Sequence, residues 1–90
     1  MWVKISDKTK ITNGDKILRY PSDGETAKEQ PTGQEENSDL YEVTSKSFDG
    51  VTLKWLVSGT IDRMKLGNMT RQVNYSDLKN GEWWYNGDGQ

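Results

Sequence analysis

The side chains able to do chemistry in this chain are carboxylates, lysines, arginines, hydroxyls and aromatics, because its 90 residues include no cysteine and no histidine. Nucleophilic catalysis needs an activated Ser, Thr, Cys or Lys beside a base. Without His, the commonest acid–base group and the commonest metal ligand are both missing. The most pointed carboxylate is Asp62. Pairing around Ser58-Gly59 sets it opposite Trp55, on an apolar face shared with Val73, where burial raises a carboxyl pKa and suits it to general-acid work. The same face carries Arg71, so a structural ion pair is the more ordinary outcome. The acidic pair Glu35-Glu36 lies in a stretch with nothing to fix its geometry. No dinucleotide fingerprint, P-loop or zinc spacing occurs. Asn86-Gly87-Asp88-Gly89 lacks the frame and terminal glutamate of a calcium loop. These residues imply a non-enzymatic chain with no catalytic residue, no cofactor and no metal.

Binding is the remaining chemistry, and two constellations could carry it. Glu82-Trp83-Trp84-Tyr85 reads as a short final strand, and adjacent side chains in a strand point to opposite faces. Whichever of Trp83 and Trp84 enters the core, the other is expected to face outward. Trp83, Trp84 and Tyr85 are therefore the candidate partner-binding residues, since Trp and Tyr dominate interface hot spots. The partner expected is a host protein or a second copy of the chain. The alternative is nucleic acid: Lys54, Arg63 and Lys65 fall together on the polar face of the central strands, and small barrels bind single strands with basic grooves and stacked rings. A sequence pI near 5.0 speaks against a strong phosphate footprint.

The elements that must position these groups centre on Asp39–Tyr75. Asp49-Gly50, Ser58-Gly59 and Gly67-Asn68 are turn candidates of the kinds that join hairpins. Pairing outward from all three gives one register. One face then collects Phe48, Val51, Leu53, Trp55, Val57, Met64, Leu66, Met69 and Val73. The other is polar, with Val43, Leu56 and Ile61 as its apolar exceptions. This predicts a four-stranded antiparallel meander. Trp2–Ser6 and Lys16–Tyr20 alternate and read as strands flanking a turn at Thr12-Asn13-Gly14-Asp15. Tyr75–Gly81 reads as a single helical or 3₁₀ turn, with Ser76 placed to cap it and Gly81 to end it. The expected fold is all-β. It is a small SH3-like barrel or twisted antiparallel meander of six or seven short strands, with the terminal strands closing the edges.

Length and charge set the frame. Ninety residues allow one domain, residues 1–90, and a hydrophobic content of 31% allows only a small core. Residues 1–20 hold five Lys/Arg against two Asp, whereas residues 21–42 hold Lys28 against seven acids. The stretch 21–38 contains no large aliphatic or aromatic residue and reads as a mobile acidic loop; residues 86–90 read as a flexible tail. No apolar run reaches membrane-spanning length and no signal-peptide core opens the chain, so a soluble, cytoplasmic protein with no membrane partner is expected.

The opening Trp2-Val3-Lys4-Ile5-Ser6-Asp7, followed by Asn13-Gly14-Asp15-Lys16-Ile17, resembles the start of small phage and prophage-encoded proteins. Its Gly-Asp turn and the later Gly81-Glu82-Trp83-Trp84 are similar to elements of SH3-like domains. The order differs, because in SH3 domains the Trp pair follows the Gly-Asp strand closely and further strands come after it. The proline-peptide site is therefore not carried over. The resemblance implies a phage-encoded modulator that acts by binding a host factor.

Overall fold

The computed structural model describes residues 2–20, 31–59, 63–80 and 82–86. They form six antiparallel strands and one helical turn: β1 (Trp2–Lys4), β2 (Lys16–Arg19), β3 (Asp39–Lys46), β4 (Gly50–Ser58), β5 (Met64–Asn74), α1 (Tyr75–Leu78) and β6 (Trp83–Asn86). The order across the sheet is β1-β6-β2-β3-β4-β5. The all-β class holds, and the terminal strands do pair, Val3 lying opposite Tyr85. They do not close a barrel. The sheet is open, with β1 at one edge and β5 at the other.

The central register differs from the one the turns predict. Gly67-Asn68 is not a turn: Met64–Asn74 is one strand of 11 residues. Trp55 pairs with Met69 and Val57 with Lys65, so Leu66, Gly67 and Asn68 bulge opposite Leu56 alone. The four-strand meander is thus three strands, the last of them long. The first hairpin turns one residue early, around Phe48-Asp49, with Lys46 opposite Val51 and the Ser47 N–H donating to the Gly50 carbonyl at 2.9 Å. A bulge between Val43 and Ser45 then sets Val43 opposite Leu53. Val43 is therefore core, while Phe48 is 96% exposed and Met64 and Met69 are about half exposed. Ser58-Gly59 is likewise not a two-residue turn, since Ser58 ends β4 opposite Met64. Asp62 and Ile61 lie outside the described residues.

Two apolar clusters sit on the two faces of this sheet. The larger joins Ile17, Tyr41, Val43, Val51, Leu53, Val73 and Trp83, capped by Ile5 and Ile11 from the β1–β2 connection and by Leu78 from α1. The smaller joins Leu18, Tyr20 and Trp84 on the opposite face, with Trp2 and Leu40 against them. The β1–β2 connection ends in the expected turn. Asp15 accepts from the Thr12 N–H at 2.8 Å, and Gly14 sits at φ +93°, a region glycine enters without steric cost. The helical turn at Tyr75 also forms as expected. Asn74 rather than Ser76 is its N-cap, and Gly81 lies outside the described residues.

Of the expected acidic loop and tail, residues 21–30 and 87–90 lie outside the described residues. Residues 31–38 are anchored at their ends: Pro31 and Ser38 are buried, while Thr32, Gln34, Glu36 and Asn37 are exposed. Glu35 folds this segment on itself. Its carboxylate accepts from the Thr32 N–H at 2.8 Å and the Gly33 N–H at 3.0 Å, and its carbonyl accepts from the Ser38 hydroxyl at 2.7 Å. Partial burial opposes ionisation of Glu35, but the Thr32 and Gly33 hydrogen bonds outweigh it and hold the carboxyl below its ordinary range. Gly59 closes against the same segment, donating to the Ser38 carbonyl at 2.7 Å. A Cβ there would run into the Ser38, Glu35 and Glu36 carbonyl oxygens, so the close approach requires glycine.

Candidate functional site

The expected aromatic anchor is core on both sides. Trp83 is 2% exposed and Trp84 is 6% exposed. Strand parity does send the two rings to opposite faces, but each face has its own cover. Leu18, Tyr20, Trp2 and Leu40 surround Trp84, and the Lys4 ammonium lies 5.5 Å from its ring centroid. Trp83 packs against Tyr41 at 5.4 Å, and Tyr41 stacks on Trp55 at 5.4 Å. Arg19 and Arg71 both lie over Trp83, at 6.0 and 5.3 Å. These are cation–π contacts made by planar cations that tolerate partial burial. Burial pushes the Tyr41 hydroxyl above its ordinary value, an effect that Arg71, donating to it at 3.4 Å, partly offsets. Tyr85, the third candidate, is half-buried against the larger cluster. The triad therefore binds the chain to itself.

Of the basic group expected on the polar face, Lys54 and Lys65 share a face and Arg63 leaves it. Lys54 lies opposite Thr70 and Lys65 opposite Val57, both on the face of the smaller cluster. Arg63 is elsewhere. Its guanidinium donates to the Gly33 carbonyl at 2.9 Å, the Glu35 carbonyl at 3.0 Å and the Ser38 hydroxyl at 3.1 Å. Arg63 thus ties residues 33–38 to the start of β5. A planar fork with five donors suits three converging acceptors. Sequence reasoning missed this role because two of the acceptors are main-chain carbonyls, which carry no residue signature.

What the fold leaves open is the outer edge of β5. Among the described residues no strand pairs with it, although it runs for 11 residues. A strand edge presents a row of unpaired main-chain donors and acceptors, a template for another chain. Over Met64–Asn74 the side chains include Lys65 and Arg71 and no acid. Met69 and Met64 are about half exposed, at 49% and 45%, and lie on the same face as Arg71. Thr70 and Gln72 sit exposed on the other side, with Lys65.

No group of three or more Asp or Glu side chains is placed to hold a metal among the described residues, nor is any helix there long and apolar enough to cross a membrane. The chain matches no family model, no curated protein and no solved structure.

Proposed function

We propose that this chain is a non-enzymatic protein-binding module that takes an extended, acidic segment of a partner protein as a further strand along the outer edge of β5. The observation that supports this reading is the open edge itself, which at 11 residues is far longer than the three-residue β1 at the opposite edge. Strand addition draws affinity from main-chain hydrogen bonds and specificity from alternate side chains. Here the side chains ask for acids beside Lys65 and flexible apolar groups beside Met64 and Met69, whose thioethers adapt to varied partners. Every charged side chain on β5 is basic, which favours an acidic strand over a second copy, whose own β5 would bring further positive charge to the same edge.

The test uses a fluorescent decapeptide of alternating glutamate and valine, titrated by anisotropy against the full chain. Binding is expected, with β5 amides alone gaining protection from hydrogen exchange. Lys65→Glu and Met69→Glu, both at exposed positions, are expected to keep the fold and each weaken binding by about tenfold or more. Equal binding by folded variants, protection at β1 instead of β5, or a concentration-dependent dimer of the chain that excludes the peptide would each overturn the proposal.

A further inference from the structure

A cleft of about 480 Å³ opens at the far end of the larger cluster, between the β1–β2 connection, the end of β3 and α1. Its volume is that of a small-ligand pocket. Its apolar wall is Ile5 and Ile11, both buried, with the Tyr75 ring at the rim. Tyr75 is held in place because its hydroxyl donates to the Ser47 carbonyl at 3.1 Å.

The polar groups of this cleft are sorted by type. Two of its carbonyl acceptors are used internally: that of Ser6 takes the Thr9 N–H at 3.1 Å, and that of Ile11 takes the Lys46 ammonium at 3.0 Å. The hydroxyl oxygens of Ser6 and Thr9 accept from the Lys8 and Ser6 N–H groups, which leaves their own hydrogens to donate. Three lysines, Lys10, Lys46 and Lys79, line the same cleft. An ammonium has three donors, and Lys46 and Lys79 each spend one, Lys79 on Asp7 at 2.6 Å. The cleft therefore has spare donors and an excess of positive charge. Its single carboxylate, Asp7, has a side chain 84% exposed and a partner in Lys79.

We infer that this cleft binds a small phosphate-bearing molecule with a planar or apolar body, in the manner of a nucleoside monophosphate. The phosphate lies among Lys10, Lys46 and Lys79 and the two free hydroxyl hydrogens, while the body covers Ile5 and Ile11 beside Tyr75. Lysine point charges on three separate elements suit a tetrahedral phosphate, whereas a planar carboxylate is better met by an arginine fork. The Asp7 carboxylate already sits where an incoming anion is wanted, so it competes with the ligand for Lys79. This inference does not depend on strand addition at β5.

The experiment titrates the full chain with adenosine monophosphate, inorganic phosphate and adenosine, read by amide chemical shifts. Adenosine monophosphate is expected to shift residues 5–12, Lys46 and Tyr75–Lys79. Phosphate alone is expected to bind about tenfold more weakly at the same residues, and adenosine not at all. Binding should weaken as salt rises. Lys10→Gln, at an exposed side chain with no hydrogen bond or ion pair among the described residues, is expected to weaken binding about fivefold, and Asp7→Asn to strengthen it by a similar factor. A gain of affinity on removing Asp7 is not what a structural role would give. Saturation by adenosine as strong as by the monophosphate, shifts scattered away from the cleft, or no change in either variant would overturn the inference.

Discussion

Removing the Arg63 side chain tests the joint between the acidic segment and the sheet. Three acceptors converge on one guanidinium, at 2.9, 3.0 and 3.1 Å. A hydrogen bond to a charged group contributes about 1.5–3 kcal/mol net. Ser38 is fully buried, so its hydroxyl gains no water in exchange, whereas Gly33 is only half-buried and water can replace part of what its carbonyl loses. Arg63→Ala should therefore cost about 2–4 kcal/mol, and Arg63→Lys nearly as much, because one ammonium cannot span all three acceptors. Arg63 also has φ +59°, a left-handed conformation that costs a non-glycine residue about 1 kcal/mol or more. Arg63→Gly relieves that strain while losing the same contacts, so it should be more stable than Arg63→Ala by about 0.5–1 kcal/mol. Urea unfolding followed by tryptophan fluorescence measures all three. An alanine variant within about 0.5 kcal/mol of the parent, the level of an ordinary surface change, would refute the clamp. A glycine variant less stable than the alanine one would refute the strain.

Two further outcomes follow from the register and from the Glu35 turn. Leu53→Ala should cost about 2–5 kcal/mol, as large core truncations do, and Phe48→Ser should stay within about 0.5 kcal/mol, because Leu53 is fully buried and Phe48 is 96% exposed; comparable losses in thermal melts would restore the register read from the turns. Glu35 has its carboxyl pKa lowered from 4.5 in the folded chain, so its stabilising effect is complete above that value and is lost as pH falls through the lowered one. Glu35→Gln should thus be less stable than the parent at pH 7 but flatter below pH 4.5, and parallel stability curves across that range would count against the carboxylate's role.

Period-2 patterning and turn chemistry make the short flanking strands, the Asn13-Gly14 turn, the helical turn at Tyr75 and the pairing of the two termini legible in the sequence. The register of β3–β5 was not legible, and the reason is physical. Irregularities at Val43/Ser45 and at Leu40/Tyr41 each add a single residue to one strand alone, which reverses side-chain parity beyond them, and the one at Trp55/Val57 adds two more residues to β5. Gly67-Asn68 suits a bulge as well as a turn, since both draw on glycine's conformational freedom. Of the candidate site residues, the opposite facing of Trp83 and Trp84 was legible from adjacency. The cover over Trp84 was not, because Trp2, Leu18 and Leu40 come from three separate strands. The open edge and the cleft are properties of strand order and loop packing, and no single residue announces either.

The same contacts explain why β5 can stay an open edge without being a loose one. Its C-terminal half is fixed from the inside: Val73 is buried, Arg71 lies over Trp83, and the Tyr75 N–H that follows donates to the Asp49 carbonyl at 3.0 Å. Its N-terminal half has no buried side chain between Met64 and Thr70 and pairs on one side only. What steadies that half is Arg63, one residue before the strand, anchored to residues 33–38. An edge pinned at both ends but bare of core contacts in between loses little further entropy when a partner strand pairs with it. The Arg63 clamp is therefore a positioning element for the proposed strand addition. The charge-reversal variants on β5 and the Arg63 variants probe one arrangement from two sides.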